Sequence, residues 1–193
     1  KTGVPIKVLP DRCRPANAAD CNAIVDAVTA QLDEVIVGWK VGFLYSPRQK
    51  PLVCPLFRSR VLASPATVPL SLTPALLMEP EICFRLRRDL PARKAAYAYE
   101  EIAEAVEACP SIEIIDTRFD TRVRTIRQML DDKRSRLEAY ADHNTTGAYT
   151  VGEGRKDWRK FDFAATRAVM RSRSRVIVET IGGHAFVDPF LPA

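Results

Sequence analysis

Leu76-Leu77-Met78-Glu79-Pro80-Glu81-Ile82-Cys83-Phe84-Arg85-Leu86 is the stretch around which the 193-residue chain is organised. At a period of two, Leu76, Met78, Ile82, Phe84 and Leu86 share one face, and Glu79 and Glu81 share the other. The pattern predicts a β-strand whose apolar face packs on a core and whose opposite face meets something else. Two carboxylates about 7 Å apart along a strand repel unless they are solvated, protonated or share a cation. A hard divalent ion such as Mg²⁺ suits them because it takes oxygen ligands. A half-exposed strand with an acidic outer face is the alternative.

The bulk numbers set the frame. A chain of this length suits one domain with a sizeable core, or a domain with a short arm. Hydrophobic content of 47% and charged content of 27% are those of a globular protein. No apolar run is long enough to span a membrane. The chain opens at Lys1 without Met or a signal-peptide segment, so the native start is expected upstream and secretion is not expected. Five scattered cysteines (Cys13, Cys21, Cys54, Cys83, Cys109) make no CxxC or Cys/His cluster and read as reduced thiols of a cytoplasmic protein. With only His143 and His184 as histidines, acid–base work falls mostly to carboxylates and lysine. The net charge is +5, with seven Arg/Lys in 118–136 and eight in 155–175. Those runs suit a nucleic-acid surface, a solvated face, an anion-binding rim or an oligomer contact; their aromatic residues do not interleave them in the manner of a single-strand-binding platform.

Taken in order, residues 1–16 read as a Pro-rich basic arm. Ile24, Val28, Leu32 and Val35 recur at helical spacing, with Asn17 or Asp20 as cap, and predict a helix over 18–34. Val35–Phe43 is a β-rich run broken by Gly38 and Gly42, and Lys40 between them is either an edge-strand gatekeeper or a buried cation with a carboxylate partner. Prolines break 45–75 but allow strands at Leu52–Phe57 and Arg60–Ala63. Tyr99–Ala108 reads as a helix stopped by Pro110, and Ser111–Asp116 as a strand holding Glu113 among isoleucines. That glutamate is costly to bury without a partner. Residues 121–140 read as a basic helix, Asp142–Gly147 as a polar loop, and Ala148–Gly152 and Arg175–Thr180 as strands.

Several stretches in this order resemble the fumarylacetoacetate hydrolase superfamily, in its 2-keto-4-pentenoate hydratase and 4-oxalocrotonate decarboxylase branch. They are Gly38-Trp39-Lys40-Val41-Gly42, Glu79-Pro80-Glu81 with Ile82-Cys83-Phe84, Arg88-Asp89-Leu90-Pro91, and Ile112-Glu113-Ile114-Ile115-Asp116-Thr117-Arg118. Ala141–Gly147 and Gly182-Gly183-His184 add weaker support, so the likeness covers roughly residues 36–190. It implies an α+β fold, a mixed β-sandwich roll with flanking helices. The expected organisation is an arm and helix over 1–34 and a hydratase-like β-roll catalytic domain over 35–193, incomplete at its C-terminal end. It implies that Glu79, Glu81 and Glu113 ligate Mg²⁺ or Mn²⁺, that Lys40 is the active-site lysine, and that Thr145 and Thr146 contact the substrate. The activity implied is that of a metal-dependent lyase, a hydratase acting on a 2-hydroxydienoate or 2-oxo acid. Decarboxylation or acylpyruvate C–C hydrolysis within the same superfamily is the alternative, as is a non-catalytic or basic binding protein. A homo-oligomer with a small-molecule substrate is expected, without a membrane or nucleic-acid partner.

The chain departs from the pattern in places. The polar loop carries His143 and Asn144 where the family has A-D-N-A-S-S-G. Leu56-Phe57-Arg58-Ser59-Arg60 lacks an acidic pair common there, leaving cations that suit the second carboxylate of a dicarboxylic substrate.

Overall fold

A computed structural model describes residues 4–42, 51–72, 75–122, 125–182 and 190. The expected features at Phe43, 45–50, 123–124 and Gly183-His184 lie outside these residues. The protein is α+β, with helices α1 (Ala18–Leu32), α2 (Tyr99–Ala105), α3 (Ile126–Asp131) and α4 (Lys133–Ala141). Its strands are β1 (Ile36–Gly42), β2 (Leu52–Phe57), β3 (Val61–Ala63), β4 (Leu77–Leu86), β5 (Val106–Ile115), β6 (Thr146–Val151), β7 (Arg167–Ser172) and β8 (Arg175–Ile181). β1 and β2 form one antiparallel pair and β7 and β8 another, while the remaining strands make a sheet in the order β3-β6-β5-β4. Two compact units divide the chain, one of 1–79 with 112–150 and the other of 80–111 with 151–193.

In the first unit, α1 begins where Asn17 Oδ1 accepts the Asp20 N–H at 3.0 Å, and ends at Asp33 in the left-handed region, φ 52°. Its deepest residues are Cys21 and Val25, and Cys21 packs with Leu52, Leu137 and Tyr140. The helical spacing read from Ile24 and Val28 therefore names the wrong edge of the stripe: Ile24 is half-buried and Val28 is exposed. A second cluster joins Phe119, Met129 and Ala139.

In the second unit, Ile82 and Phe84 of β4 pack against Ala103, Val106, Ala108, Trp158 and Phe190. Phe84 meets Trp158 edge-on at 5.0 Å and Phe190 at 4.8 Å between ring centroids. Only this middle portion of the predicted apolar face is covered; Leu76, Met78 and Leu86 are exposed, because no element described here lies over them.

Three other elements differ from the sequence reading. The helix expected to run to Ala108 stops at Ala105, and β5 starts at Val106 and passes through Pro110. Proline removes one donor from a strand but keeps its acceptor, and Pro110 O here accepts from Gly152 N at 2.8 Å. The helix expected over 121–140 is two: Thr125 caps α3 through Gln128 N, and Asp132 leaves helical geometry (ψ 126°) to cap α4, accepting from Ser135 N at 2.7 Å. Finally, β7 lies in sequence that shows only basic character, and its pairing with β8 gives it its structure.

Because Asp132 both ends α3 and starts α4, Asp132→Ala is expected to lower stability by about 1 kcal/mol, and Asp132→Asn by much less. Chemical denaturation of both variants checks this; equal loss in the two would show that the cap does not carry the effect.

Candidate metal centre

The strand that presents Lys40 is turned inside out. Gly38, Lys40 and Gly42 lie on the half-buried face of β1, and Val37, Trp39 and Val41 on the exposed one. Glycines flanking the lysine leave room for a long side chain and a close neighbour: a Cβ on Gly42 would sit 2.9 Å from Asn144 Nδ2. Of the two readings open for Lys40, the buried cation is the one realised. Its side chain is 10% exposed and its ammonium donates to Glu113 Oε2.

Glu113 lies in the middle of β5 with a side chain only 1% exposed. A carboxylate at that depth is tolerated only when paired. Thr146, first residue of β6, donates its hydroxyl to Glu113 Oε1 at 2.6 Å, so both oxygens of this acid are engaged.

Glu79 is exposed and Glu81 half-buried on β4. One carboxylate oxygen from each of Glu79, Glu81 and Glu113 can be chosen so that all lie within 4.8 Å of one another. Oxygens bound to one octahedral Mg²⁺ at about 2.1 Å lie about 3 Å apart when adjacent and about 4 Å when opposite. The three carboxylates thus fit a hard divalent cation in donor type, and their oxygens lie close to the spacing that one ion imposes. No thiol or imidazole belongs to this group. Cys54, which opposes Lys40 across the β1–β2 ladder, has its thiol pushed up to about 11 by burial. It is held neutral and is a poor nucleophile.

The turn before β6 closes this half of the site. His143, Asn144 and Thr145 all have left-handed backbones, with φ 52°, 51° and 58°, which L-residues adopt at a cost. Thr145 is buried, and its hydroxyl donates to Asn144 O at 2.7 Å; its carbonyl accepts from Asp116 N at 2.8 Å. Gly147 follows where a Cβ would lie 2.9 Å from Ile114 O. Asp142 holds the base of the turn. It accepts from Thr117 Oγ1 at 2.7 Å, from Arg118 N at 2.9 Å and from Arg118 Nε. Burial raises the pKa of the Asp116 carboxyl and, aided by Arg118, lowers that of the His143 imidazole. The sequence motifs contained Asp142, Thr117 and Arg118 but suggested no task for them.

Some of the cations in the basic runs are ion-paired. Arg118 pairs with Asp142, Arg122 with Asp120, Arg134 with Asp11, Arg155 with Asp157, Arg159 with Glu100 and Arg167 with Glu179. Such surface pairs add little stability, and each offsets one of the charges that a phosphate backbone would meet. Among the described residues, no helix is long and apolar enough to cross a membrane.

No family model matches the sequence, and no curated protein matches it. Its structure is similar to two structures of 4-oxalocrotonate decarboxylase from Pseudomonas putida G7. One, complexed with calcium and acetate, superposes with a TM-score of 0.58; the other, complexed with magnesium and adipate, with 0.60. Identity to each is 18%, over 86% of this chain and 62% of that one. The chain therefore spans less than two thirds of the length of those proteins and shares their α+β fold, in agreement with the fold that the sequence motifs imply.

Proposed function

We propose that the chain carries the metal-binding portion of an enzyme acting on 2-oxo acids, and that its reaction is the hydration of a 2-hydroxydienoate. The observation that carries this reading is the meeting of Glu79, Glu81 and Glu113, with Lys40 and Thr146 both fastened to Glu113. Glu79, Glu81 and Glu113 would hold Mg²⁺ or Mn²⁺. When bound, such a cation stabilises negative charge developing on the keto oxygen of a 2-oxo acid.

The protein's own groups then have distinct tasks. Glu113 fixes the position of the Lys40 ammonium beside the carboxylate cluster, where it can hold the substrate carboxylate. The Lys40 ammonium can also deliver a proton to the terminal carbon of the dienol during ketonisation. Water then adds across the remaining conjugated double bond. Of the two threonines expected at the substrate, Thr146 is the one we assign to the site, through Glu113. Thr145, with its hydroxyl on a backbone carbonyl, serves as scaffold.

Decarboxylation is the second reading, and the observation that favours it is the similarity to a decarboxylase complexed with magnesium and adipate. There, the electrons left by departing CO₂ move toward the same keto oxygen. Arg58 and Arg60, exposed beyond the end of β2, supply the cations that a second carboxylate would need. Acylpyruvate hydrolysis, which would call for a water-activating His–Glu pair, is the weaker alternative, since the first histidine of the sequence is His143.

Calorimetric titration tests the assignment. Parent protein is expected to bind Mg²⁺, and oxalate, a mimic of the enolate, to tighten it. Glu81→Gln should lose that binding while keeping or raising its metal-free melting temperature, since one of three crowded charges is gone; unchanged Mg²⁺ affinity would remove Glu81 from the site. At a Mg²⁺ concentration 100 times its Kd the parent should gain about 2.7 kcal/mol of stability. Lys40→Ala should still bind Mg²⁺ but lose turnover; normal turnover would remove Lys40 from the mechanism. Release of CO₂ from a 2-oxo dicarboxylate, with no consumption of 2-hydroxydienoate, would establish the decarboxylase reading.

A further inference from the structure

The strained turn at 143–145 calls for an explanation, because three successive non-glycine residues lie in the left-handed region, which L-residues adopt only at a cost. Thr145 is β-branched, which makes its φ of 58° a pronounced outlier. Such a backbone survives only where its surroundings over-determine it.

Asp142 supplies that constraint. Its carboxylate accepts from the Thr117 hydroxyl, the Arg118 backbone N–H and the Arg118 guanidinium. Its carbonyl accepts from Thr145 N at 3.0 Å and from Arg118 Nη2. Thr117 and Arg118 directly continue the strand that carries Glu113. Asp142 therefore ties the entry of the turn to the end of β5, and the Asp116 N–H to Thr145 O bond ties its exit to the same place. Between these two fastenings the chain reverses and delivers Thr146 with its hydroxyl on Glu113 Oε1. The apex meanwhile sets Asn144 against Gly42, on the same face of β1 as Lys40.

We infer that Asp142 is a positioning residue for the metal centre: by locking the left-handed turn it aims the Thr146 hydroxyl at Glu113 and fixes which oxygen of that carboxylate faces the cation. The inference rests on the metal-site reading above and extends it to a residue that touches neither cation nor substrate. Hydrogen bonds to a ligating carboxylate are expected to matter in this way, since partners one step removed from a metal typically contribute 10- to 100-fold to its affinity.

The experiment is a double-mutant cycle read by Mg²⁺ calorimetry on the full chain. Asp142→Ala and Thr146→Val are each expected to weaken Mg²⁺ binding by about 10- to 100-fold. The double variant should be no weaker than the weaker single, because both changes break the same link. Thr146→Ser, which keeps the hydroxyl, should bind like the parent. Thr117→Val removes one bond to Asp142 without altering charge, and should show the same coupling to Thr146→Val; it carries the test if Asp142→Ala does not fold. Additive losses, or Asp142→Ala and Thr117→Val binding Mg²⁺ like the parent, would overturn the inference and leave the metal site standing. Absence of Mg²⁺ binding by the parent would overturn the metal-site reading and this inference together.

Discussion

A carboxylate sealed in the middle of a strand is the constraint on which this site depends. Glu113 has almost no exposure to water, and an ionised acid in that position must be compensated from within the protein. Lys40 brings a charge and Thr146 a hydrogen bond. Each partner comes from a different element, so the requirement of one side chain joins β1, β5 and β6. Burying an ion pair is seldom the cheapest way to stabilise a protein. Its presence here, beside two further acids, is better explained by a centre that must handle charge.

That requirement also explains backbone features that are otherwise odd. β1 turns a lysine and two glycines inward and leaves Val37, Trp39 and Val41 exposed, the reverse of what burial alone would select. The turn before β6 takes three left-handed residues in a row, of which only Asn144 is of a type that ordinarily serves there. Local rules of residue preference yield at both places, and both places border Glu113. Sequences consistent with their fold elsewhere commonly break such rules where function is concentrated.

Much of this was legible in the chain. Period-two alternation placed Glu79 and Glu81 on one face of β4, glycine punctuation marked β1 around Lys40, and an acid amid isoleucines marked Glu113. What escaped reading depends on tertiary contacts. The apolar face of β4 looked continuous, but only Ile82 and Phe84 find a partner cluster. Pro110 suggested a boundary because proline usually is one, yet a strand accommodates it when its carbonyl still has a donor. Asp132 was one polar residue among several in a basic helical pattern, and only its geometry shows that it caps α4. β7, which carries Arg167 and Arg171, has a weak strand signature until β8 folds back on it. The role of Asp142 was hidden for the same reason: its partners Thr117 and Arg118 lie 25 and 24 residues away in sequence.

The most direct measurement is anomalous diffraction from crystals soaked in Mn²⁺, recorded at a wavelength where manganese scatters strongly. The account predicts a single strong peak bonded by one or more oxygens from each of Glu79, Glu81 and Glu113, with Lys40 and Thr146 close to Glu113. A well-ordered structure showing no peak among those three carboxylates, or manganese bound only elsewhere, would contradict it.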